Sequence, residues 1–378
     1  MNAPAWKVAL SETTLGEEEA SAAAEVVRSG WLTQGARVQA FERAFADFIG
    51  VPHAIAVANC TVGLEIAFEC AGVKAGDEVI VPAVTFVATA NAARRLGATP
   101  VFADIKNGED LTLDPDDVAR KITPKTRAIA PVHYGGWPAD MAALRALAAK
   151  HSVSLVEDCA HAPGARTSEG SCGALGDIGA FSFFSNKNMA TGEGGMLTTT
   201  RDDVAERARL LRSHGMTTTT WDRHRGHAYT YDVAAVGTNA RMDEIRAAIG
   251  AIQLRKLPDG NAVRASRVEQ YRARLTDFSG LEIPFVKRAI RESAHHLFVV
   301  LLPPEVDRLA VMASMRELGI QTSIHYPPTH RFSAYVASEA TLPVTDAVAA
   351  RILTLPLFST MTEAQVDLVC DALHASVK

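Results

Sequence analysis

The chain has 378 residues, of which 48% are hydrophobic and 21% charged, a balance that suits a packed soluble protein and argues against disorder. Its 43 acidic and 38 basic side chains leave a net charge of −5, which argues against the basic surface that nucleic-acid phosphates require. Five scattered cysteines (Cys60, Cys70, Cys159, Cys172, Cys370) form no CxxC pair, so neither a zinc knuckle nor an iron–sulfur set is readable and a reduced, cytoplasmic chain is expected.

At one domain per roughly 150 residues, the length predicts two domains, or one large one with an appendage. The N-terminal residues carry no basic-then-apolar leader. No apolar run approaches the roughly 20 residues of a membrane span, and Leu297 to Leu302 has only strand length. Val38, Phe41, Phe45 and Phe48 recur at helical spacing, and Gly50-Val-Pro ends that helix. His53 to Ala58 then reads as a buried strand and is followed by a helix through Cys70. The unit repeats with strands at 78–81, 100–103, 127–132, 152–156 and 178–184 and helices at 86–96 and 138–150. Apolar strands alternating with helices predict an α/β fold, a mainly parallel sheet in a three-layer arrangement between helices. Met216 to Asn239 reads as a long loop. A helical stretch from about Asp243 to Leu275 is expected to break near Pro258. Strands at 295–302 and 321–326 and helices at 306–318 and 363–376 predict a smaller C-terminal α/β domain. The expected division is a large domain over 1–256 and a small one over 257–378, with the boundary near 256–262.

Ligands of an open parallel sheet sit beyond the carboxyl ends of its strands. The polar residues there are Asn59-Cys60-Thr61, Thr85-Phe86, Glu157-Asp158 with His161, and Ser182, Ser185, Asn186 and Lys187. A lysine, a carboxylate, a ring able to stack and hydroxyls beside a helix N-terminus are what pyridoxal 5′-phosphate (PLP) needs. The lysine forms its Schiff base, the carboxylate keeps the pyridine nitrogen protonated, and backbone N–H groups hold its phosphate.

The run Phe181-Ser-Phe-Phe-Ser-Asn-Lys187-Asn followed by Thr191-Gly-Glu-Gly-Gly195 resembles the lysine signature of the DegT/DnrJ/StrS sugar aminotransferases, which share the aspartate-aminotransferase fold (PLP-dependent fold type I). The resemblance extends, in the family's order, through Ser29-Gly-Trp-Leu-Thr-Gln-Gly35, Thr85 to Asn91, Pro131-Val-His-Tyr-Gly, Glu157-Asp-Cys-Ala-His161, Gly237 to Met242 and His325-Tyr-Pro-Pro, so it spans nearly the whole chain.

The resemblance implies roles position by position. Lys187 would carry PLP, against the ordinary reading of a surface lysine. Asp158 would pair with the ring nitrogen, against a turn-capping aspartate. Phe86 would stack on the ring rather than join the core, and His161 would lie near the ring oxygen rather than serve the fold alone. Ser182 and Thr61, with the backbone N–H groups of Cys60 and Thr61, would bind the phosphate. Cys60 departs from the small residue of the family pattern and could be a small apolar filler. Asn239 would reach the phosphate in the neighbouring subunit of a homodimer, against a plain loop asparagine. His325 and Tyr326 would stand at the substrate mouth, or simply end a strand. Trp31 would approach the substrate, and Arg223, with His224, Arg225 and His227, would hold a diphosphate or form a solvated loop. Gly192, Gly194 and Gly195 lack the Gly-Lys-Ser/Thr of a P-loop and would serve tight turns and close backbone approach.

The implied reaction takes an amino group from L-glutamate, stores it as pyridoxamine 5′-phosphate and delivers it to a keto sugar, for which the Trp221-Asp-Arg insertion suggests a nucleotide-linked 4-keto-6-deoxy sugar. The alternatives are a keto-inositol acceptor, a pyridoxamine-dependent sugar dehydratase, against which Lys187 and the scattered cysteines argue, and a non-catalytic regulatory protein.

Overall fold

The computed structural model describes residues 6–218, 220–226, 229–338 and 340–377. The six buried runs named above between residues 53 and 184 become strands of one seven-stranded sheet: β1 (His53–Val57), β2 (Glu78–Pro82), β3 (Thr99–Ala103), β4 (Thr126–Ile129), β5 (Ser154–Asp158) and, after a hairpin of β6 (Arg166–Thr167) and β7 (Gly170–Ser171), β8 (Ile178–Ser182); the seventh strand is β9 (Gly195–Thr199). The order is β1-β9-β8-β5-β4-β2-β3. β9 runs antiparallel to β1 and β8, and the other six strands share one direction.

The helices preceding and linking these strands are α1 (Glu17–Ser29), α2 (Ala36–Ile49), α3 (Cys60–Cys70), α4 (Ala88–Arg95), α5 (Pro115–Lys121), α6 (Met141–His151) and α7 (Asp202–Arg212). Successive residues of β1 show why the sheet is a middle layer. Ile55 and Val57 pack with Leu64 and Phe68 of α3 and Leu211 of α7, whereas Ala54 and Ala56 pack with Phe41 and Phe45 of α2. Strand side chains alternate between faces, so each face needs its own helices to leave water.

After the short α8 (Thr220–His224) comes α9 (Glu244–Leu275). The rest is β10 (Phe298–Leu301), α10 (Arg308–Glu317), α11 (Pro343–Arg351), β11 (Ile352–Leu355) and α12 (Glu363–Ser376). Val268, Tyr271 and Leu275 of α9 share a core with Phe298 and Val300, Met315, Leu353 and Leu355, and Val366, Val369 and Leu373.

The structure departs from the sequence reading at four places. α9 does not break at Pro258, which lies inside it, and the helix passes unbroken through 256–262. Packing against α1, α2 and α12 along its length outweighs the hydrogen bond that proline removes. The expected strand at 321–326 is not one; Ser323 makes an isolated bridge to Thr354, and β10 pairs instead with β11. β9 starts inside the Gly192–Gly195 run that reads as turns. The loop over 216–239 contains α8 and an isolated Met216–Val233 bridge.

Candidate active site

The parallel strands bring their carboxyl ends to one edge of the sheet. β5 ends on Asp158 and β8 on Ser182, while β1 delivers Asn59 to the start of α3. Ser182 pairs in register with Gly195 of β9. A Cβ on Gly195 would stand 2.7 Å from the carbonyl carbon of Asn59, 2.8 Å from the Cys60 nitrogen and 2.9 Å from the Phe181 oxygen. Only glycine permits that approach, and it draws Ser182 and the N-terminus of α3 together. The Asn59 side chain caps α3 by accepting from the Val62 N–H at 3.0 Å. The amides of Cys60 and Thr61, in the first turn, then have no partner within the helix. Burial, and after it Asp158, push the Cys60 thiol well up, so it stays protonated in its buried place.

Lys187 follows β8 on a loop whose backbone turns through a Lys187 N–H to Phe184 oxygen bond of 2.9 Å. Asn188 anchors that loop: its Nδ2 donates to the Ala294 oxygen at 2.6 Å and to Asn261 Oδ1 at 2.8 Å, and its Oδ1 accepts from His296 Nδ1 at 3.1 Å. Burial pulls the Lys187 ammonium down to about 8, with Asp158 and Cys60 opposing the shift. A useful fraction of the amine is therefore neutral near physiological pH. Asp158 is 4% exposed. Burial raises its carboxyl above the ordinary range, opposed by Thr89 Oγ1, which donates to Oδ2 at 2.7 Å, by the Ala160 N–H, which donates to Oδ1 at 3.0 Å, and by Lys187. The Ala160 contact is the turn-capping contact of the ordinary reading, made while the same carboxylate lies beside Lys187.

Phe86 is 57% exposed, a large apolar ring left uncovered 6.2 Å from the ring of Tyr326. Tyr326 stacks on His161 with centroids 5.8 Å apart and planes 10° apart, and its hydroxyl lies 2.9 Å from His161 Nε2. His161 stacks in turn on His296 at 4.5 Å. His325 is held by Thr354 Oγ1 at 3.1 Å from Nδ1, and its carbonyl accepts the Tyr134 hydroxyl. Burial and then the Lys187 charge push His161 well down and His325 to about 4, so both rings are neutral under ordinary conditions.

The structure thus gathers Lys187, Asp158, Cys60, Phe86, His161, His325 and Tyr326, with Ser182 beside the α3 N-terminus that carries Thr61. Trp31 belongs to a second, aromatic cluster, 4.9 Å from Trp221 and 4.4 Å from His224. Arg223 lies over the Tyr231 ring at 4.7 Å, and His227 lies outside the described residues. Asn239 is exposed and bridges by its backbone to Ser213.

Thr89, Asn188 and His296 were not singled out by the sequence. Thr89 had a readable signal, since it stands within the Thr85 to Asn91 motif, three residues after Phe86. Glu157 proves structural. It is fully buried, and its two oxygens accept from Gly173, Leu175 and Gly176 N–H and from His133 Nε2. His133, Glu157 and Cys159 hold ligand-type atoms within 4.8 Å of one another, but those four donors already occupy the carboxylate.

The sequence matches the DegT/DnrJ/EryC1/StrS aminotransferase family over residues 13–374. The spore coat polysaccharide biosynthesis protein SpsC of Bacillus subtilis (strain 168) is 38% identical over 373 residues, which cover 96% of this chain and 95% of that one. Among solved structures, PseC of Helicobacter pylori, an aminotransferase involved in the biosynthesis of pseudoaminic acid, superposes with a TM-score of 0.92 at 28% identity, over 98% of this chain and 99% of that one. DesI, solved in the presence of its TDP-sugar product, superposes with a TM-score of 0.88 at 32% identity, over 97% of this chain and 92% of that one.

Proposed function

The chain belongs to the DegT/DnrJ/EryC1/StrS aminotransferase family, a PLP-dependent family of sugar aminotransferases with fold type I, and from that premise we propose that it moves an amino group from L-glutamate to a nucleotide-linked 4-keto-6-deoxy sugar. The observation that carries the transamination is the arrival of the buried Asp158, at the end of β5, and of Lys187, after the neighbouring β8, at one edge of the sheet.

The residues fit PLP. The amides of Cys60 and Thr61, the Thr61 and Ser182 hydroxyls and the close approach at Gly195 form a cradle for its phosphate. Phe86 offers an uncovered ring face. Asp158 carries a burial cost that a cationic ring nitrogen would offset. When bound, PLP supplies the aldehyde that takes up the amino group, held between half-reactions as pyridoxamine 5′-phosphate, and the ring that accepts the electron pair.

Lys187 Nζ would hold the cofactor while its amine is neutral and, once released, would serve as base and acid for the proton at the reacting carbon. Asp158 would keep a proton on the ring nitrogen, its carboxylate oriented by the Thr89 hydroxyl. Asn188 and its partners hold the lysine loop in register. His325 and Tyr326 stand where an acceptor would enter, and Trp31 and Arg223 would border its nucleotide. Asn239, exposed in the single chain, reaches the phosphate of a second subunit in a homodimer.

SpsC and PseC favour a sugar acceptor, and the TDP-sugar product held by DesI favours a nucleotide-linked one. A keto-inositol is the competing acceptor. The test is 2-oxoglutarate release from L-glutamate with nucleotide-linked 4-keto-6-deoxy sugars against keto-inositols. Turnover with the nucleotide sugars, lost in Lys187→Ala, is expected; turnover with keto-inositols alone would overturn the acceptor.

A further inference from the structure

His296, packed behind the lysine loop, has its tautomer set by two backbone carbonyls. The Pro163 carbonyl accepts from Asn261 Nδ2 at 3.0 Å and so turns Asn261 Oδ1 toward Asn188. The Ala294 carbonyl and that Oδ1 take both N–H groups of the Asn188 amide, at 2.6 Å and 2.8 Å. Asn188 Oδ1 can then only accept, and it lies 3.1 Å from His296 Nδ1. The proton of the neutral ring therefore sits on Nδ1, and Nε2 is a bare acceptor. The backbone fixes the ring as firmly. The His296 N–H donates to the Gly135 oxygen at 2.9 Å and the Ala294 N–H to the Gly136 oxygen at 3.1 Å. A Cβ on Gly136 would stand 2.8 Å from the His295 nitrogen and 3.1 Å from the His296 nitrogen, so glycine lets the two segments meet. All of these contacts lie within the chain's own framework. His296 is 6% exposed, and among the described residues its Nε2 meets no donor. The titratable groups around it are Lys187, His161 stacked at 4.5 Å, Arg264, which donates to the Leu357 carbonyl, and His325. Burial, and after it the Lys187 charge, hold the ring well below its usual range, so it stays neutral. Lys187 Nζ is in the converse position: it carries N–H groups and has no acceptor among the described residues.

We propose that His296 is a positioning residue for Lys187 whenever the lysine is free of cofactor, its bare Nε2 accepting a hydrogen bond from Nζ. This rests on the PLP reading above and deepens it by naming what holds the lysine between its tasks. The bond acts in two situations, before the amine captures PLP and while the released amine serves as base and acid. It keeps Nζ in one place, where a long side chain would otherwise sample several rotamers. A neutral imidazole also accepts more strongly from an ammonium than from an amine, so the bond favours the charged lysine. No proton passes to His296, because an imidazolium formed there would be buried beside Arg264.

The experiment compares the wild-type chain with three variants. His296→Asn keeps an amide to donate to Asn188 but has no acceptor at the Nε2 position. His296→Phe keeps the ring volume and has no acceptor at all. His296→Gln is long enough to place its carbonyl oxygen where Nε2 stands. Two readouts are taken: the pH midpoint for PLP capture by the full chain stripped of cofactor, and the single-turnover rate of the pyridoxamine form with 2-oxoglutarate, in which Lys187 is unattached. His296→Asn and His296→Phe are expected to move the midpoint from about 8 to lower pH by about one unit, the effect of one hydrogen bond to a charged group. The 2-oxoglutarate rate falls about tenfold in both. His296→Gln stays close to wild type in both readouts. A histidine that merely anchored Asn188 would leave the midpoint of His296→Asn unmoved, and that result would overturn the proposal. So would a midpoint shifted as far in His296→Gln as in His296→Phe, which would make ring packing the cause. A wild-type chain that captures no PLP at any pH would overturn the cofactor reading and this proposal with it.

Discussion

Lys187 and Asp158 show how burial sets chemistry at single residues. Each is drawn out of water beside the other, and each moves toward neutrality, the lysine to about 8 and the aspartate upward. Because the lysine must be neutral to attack an aldehyde, the rate of PLP capture by apoenzyme should rise with pH and level off above about 8. Stopped-flow absorbance measures it, and a rate still rising toward the ordinary lysine range would show the amine to be unshifted. Lys187→Ala removes the base, and turnover should fall by about 10⁴-fold while PLP stays bound through its phosphate. Asp158→Asn keeps the shape and the Thr89 contact but loses the charge; kcat should fall by about 100-fold or more, as for a missing electrostatic stabiliser. Full kcat in the Asp158→Asn enzyme would remove Asp158 from the ring nitrogen.

Elements were legible where one pattern served one purpose. The parallel strands and the helices over 36–49, 60–70 and 363–376 could be read from apolar spacing alone. β9 could not, because the glycines that open it exist for close approach: Gly195 looks like a turn residue and is the point where β9 meets α3. Gly195→Ala should therefore cost about 2 kcal/mol of stability through backbone overlap and weaken PLP binding at once, as thermal unfolding and PLP titration would show. Unchanged PLP affinity would detach the cradle from that contact. The continuity of α9 through Pro258 was likewise hidden, since its support comes from α1, distant in sequence. Glu19 of α1 ties the two helices together by accepting from Gln253 Nε2 at 2.8 Å and Lys256 Nζ at 2.9 Å. Burial raises its carboxyl, but these bonds and the Gly16 N–H outweigh it and hold it at about 2. A depressed carboxyl stabilises the fold above the ordinary carboxylate range and loses that contribution as pH falls toward about 2. Glu19→Gln should cost about 2 kcal/mol near neutrality, with the gap from wild type closing as pH falls through that window in chemical denaturation. A gap independent of pH would show the ionised form to be irrelevant.

At the scale of the whole molecule, the site draws on segments far apart in sequence. Asp158 and Lys187 come from strand ends of the central sheet, His325 and Tyr326 from beyond β10, and His296 reaches back to Asn188. Lys187, Asp158, His325 and Tyr326 were visible as motifs, but Asn188, His296 and the bonds between these residues were not, because nothing in a sequence says which side chain meets which partner across the fold. The role proposed for the exposed Asn239 would extend the same logic to a second chain. Mixing Lys187→Ala with Asn239→Ala protein should regenerate about a quarter of wild-type turnover, because half of the dimers are then mixed and each mixed dimer holds one intact site of two. No regain after subunit exchange would place Asn239 in its own subunit's site or outside the chemistry.

The most direct test of the central claim is the visible absorbance spectrum of the purified protein after incubation with PLP, repeated on adding L-glutamate. The account predicts a yellow band in wild type that bleaches as glutamate surrenders its amino group, whereas reduction with borohydride followed by denaturing dialysis leaves cofactor covalently attached to wild type and none to Lys187→Ala. A protein that stays colourless with PLP, or a band that glutamate leaves untouched, would contradict it.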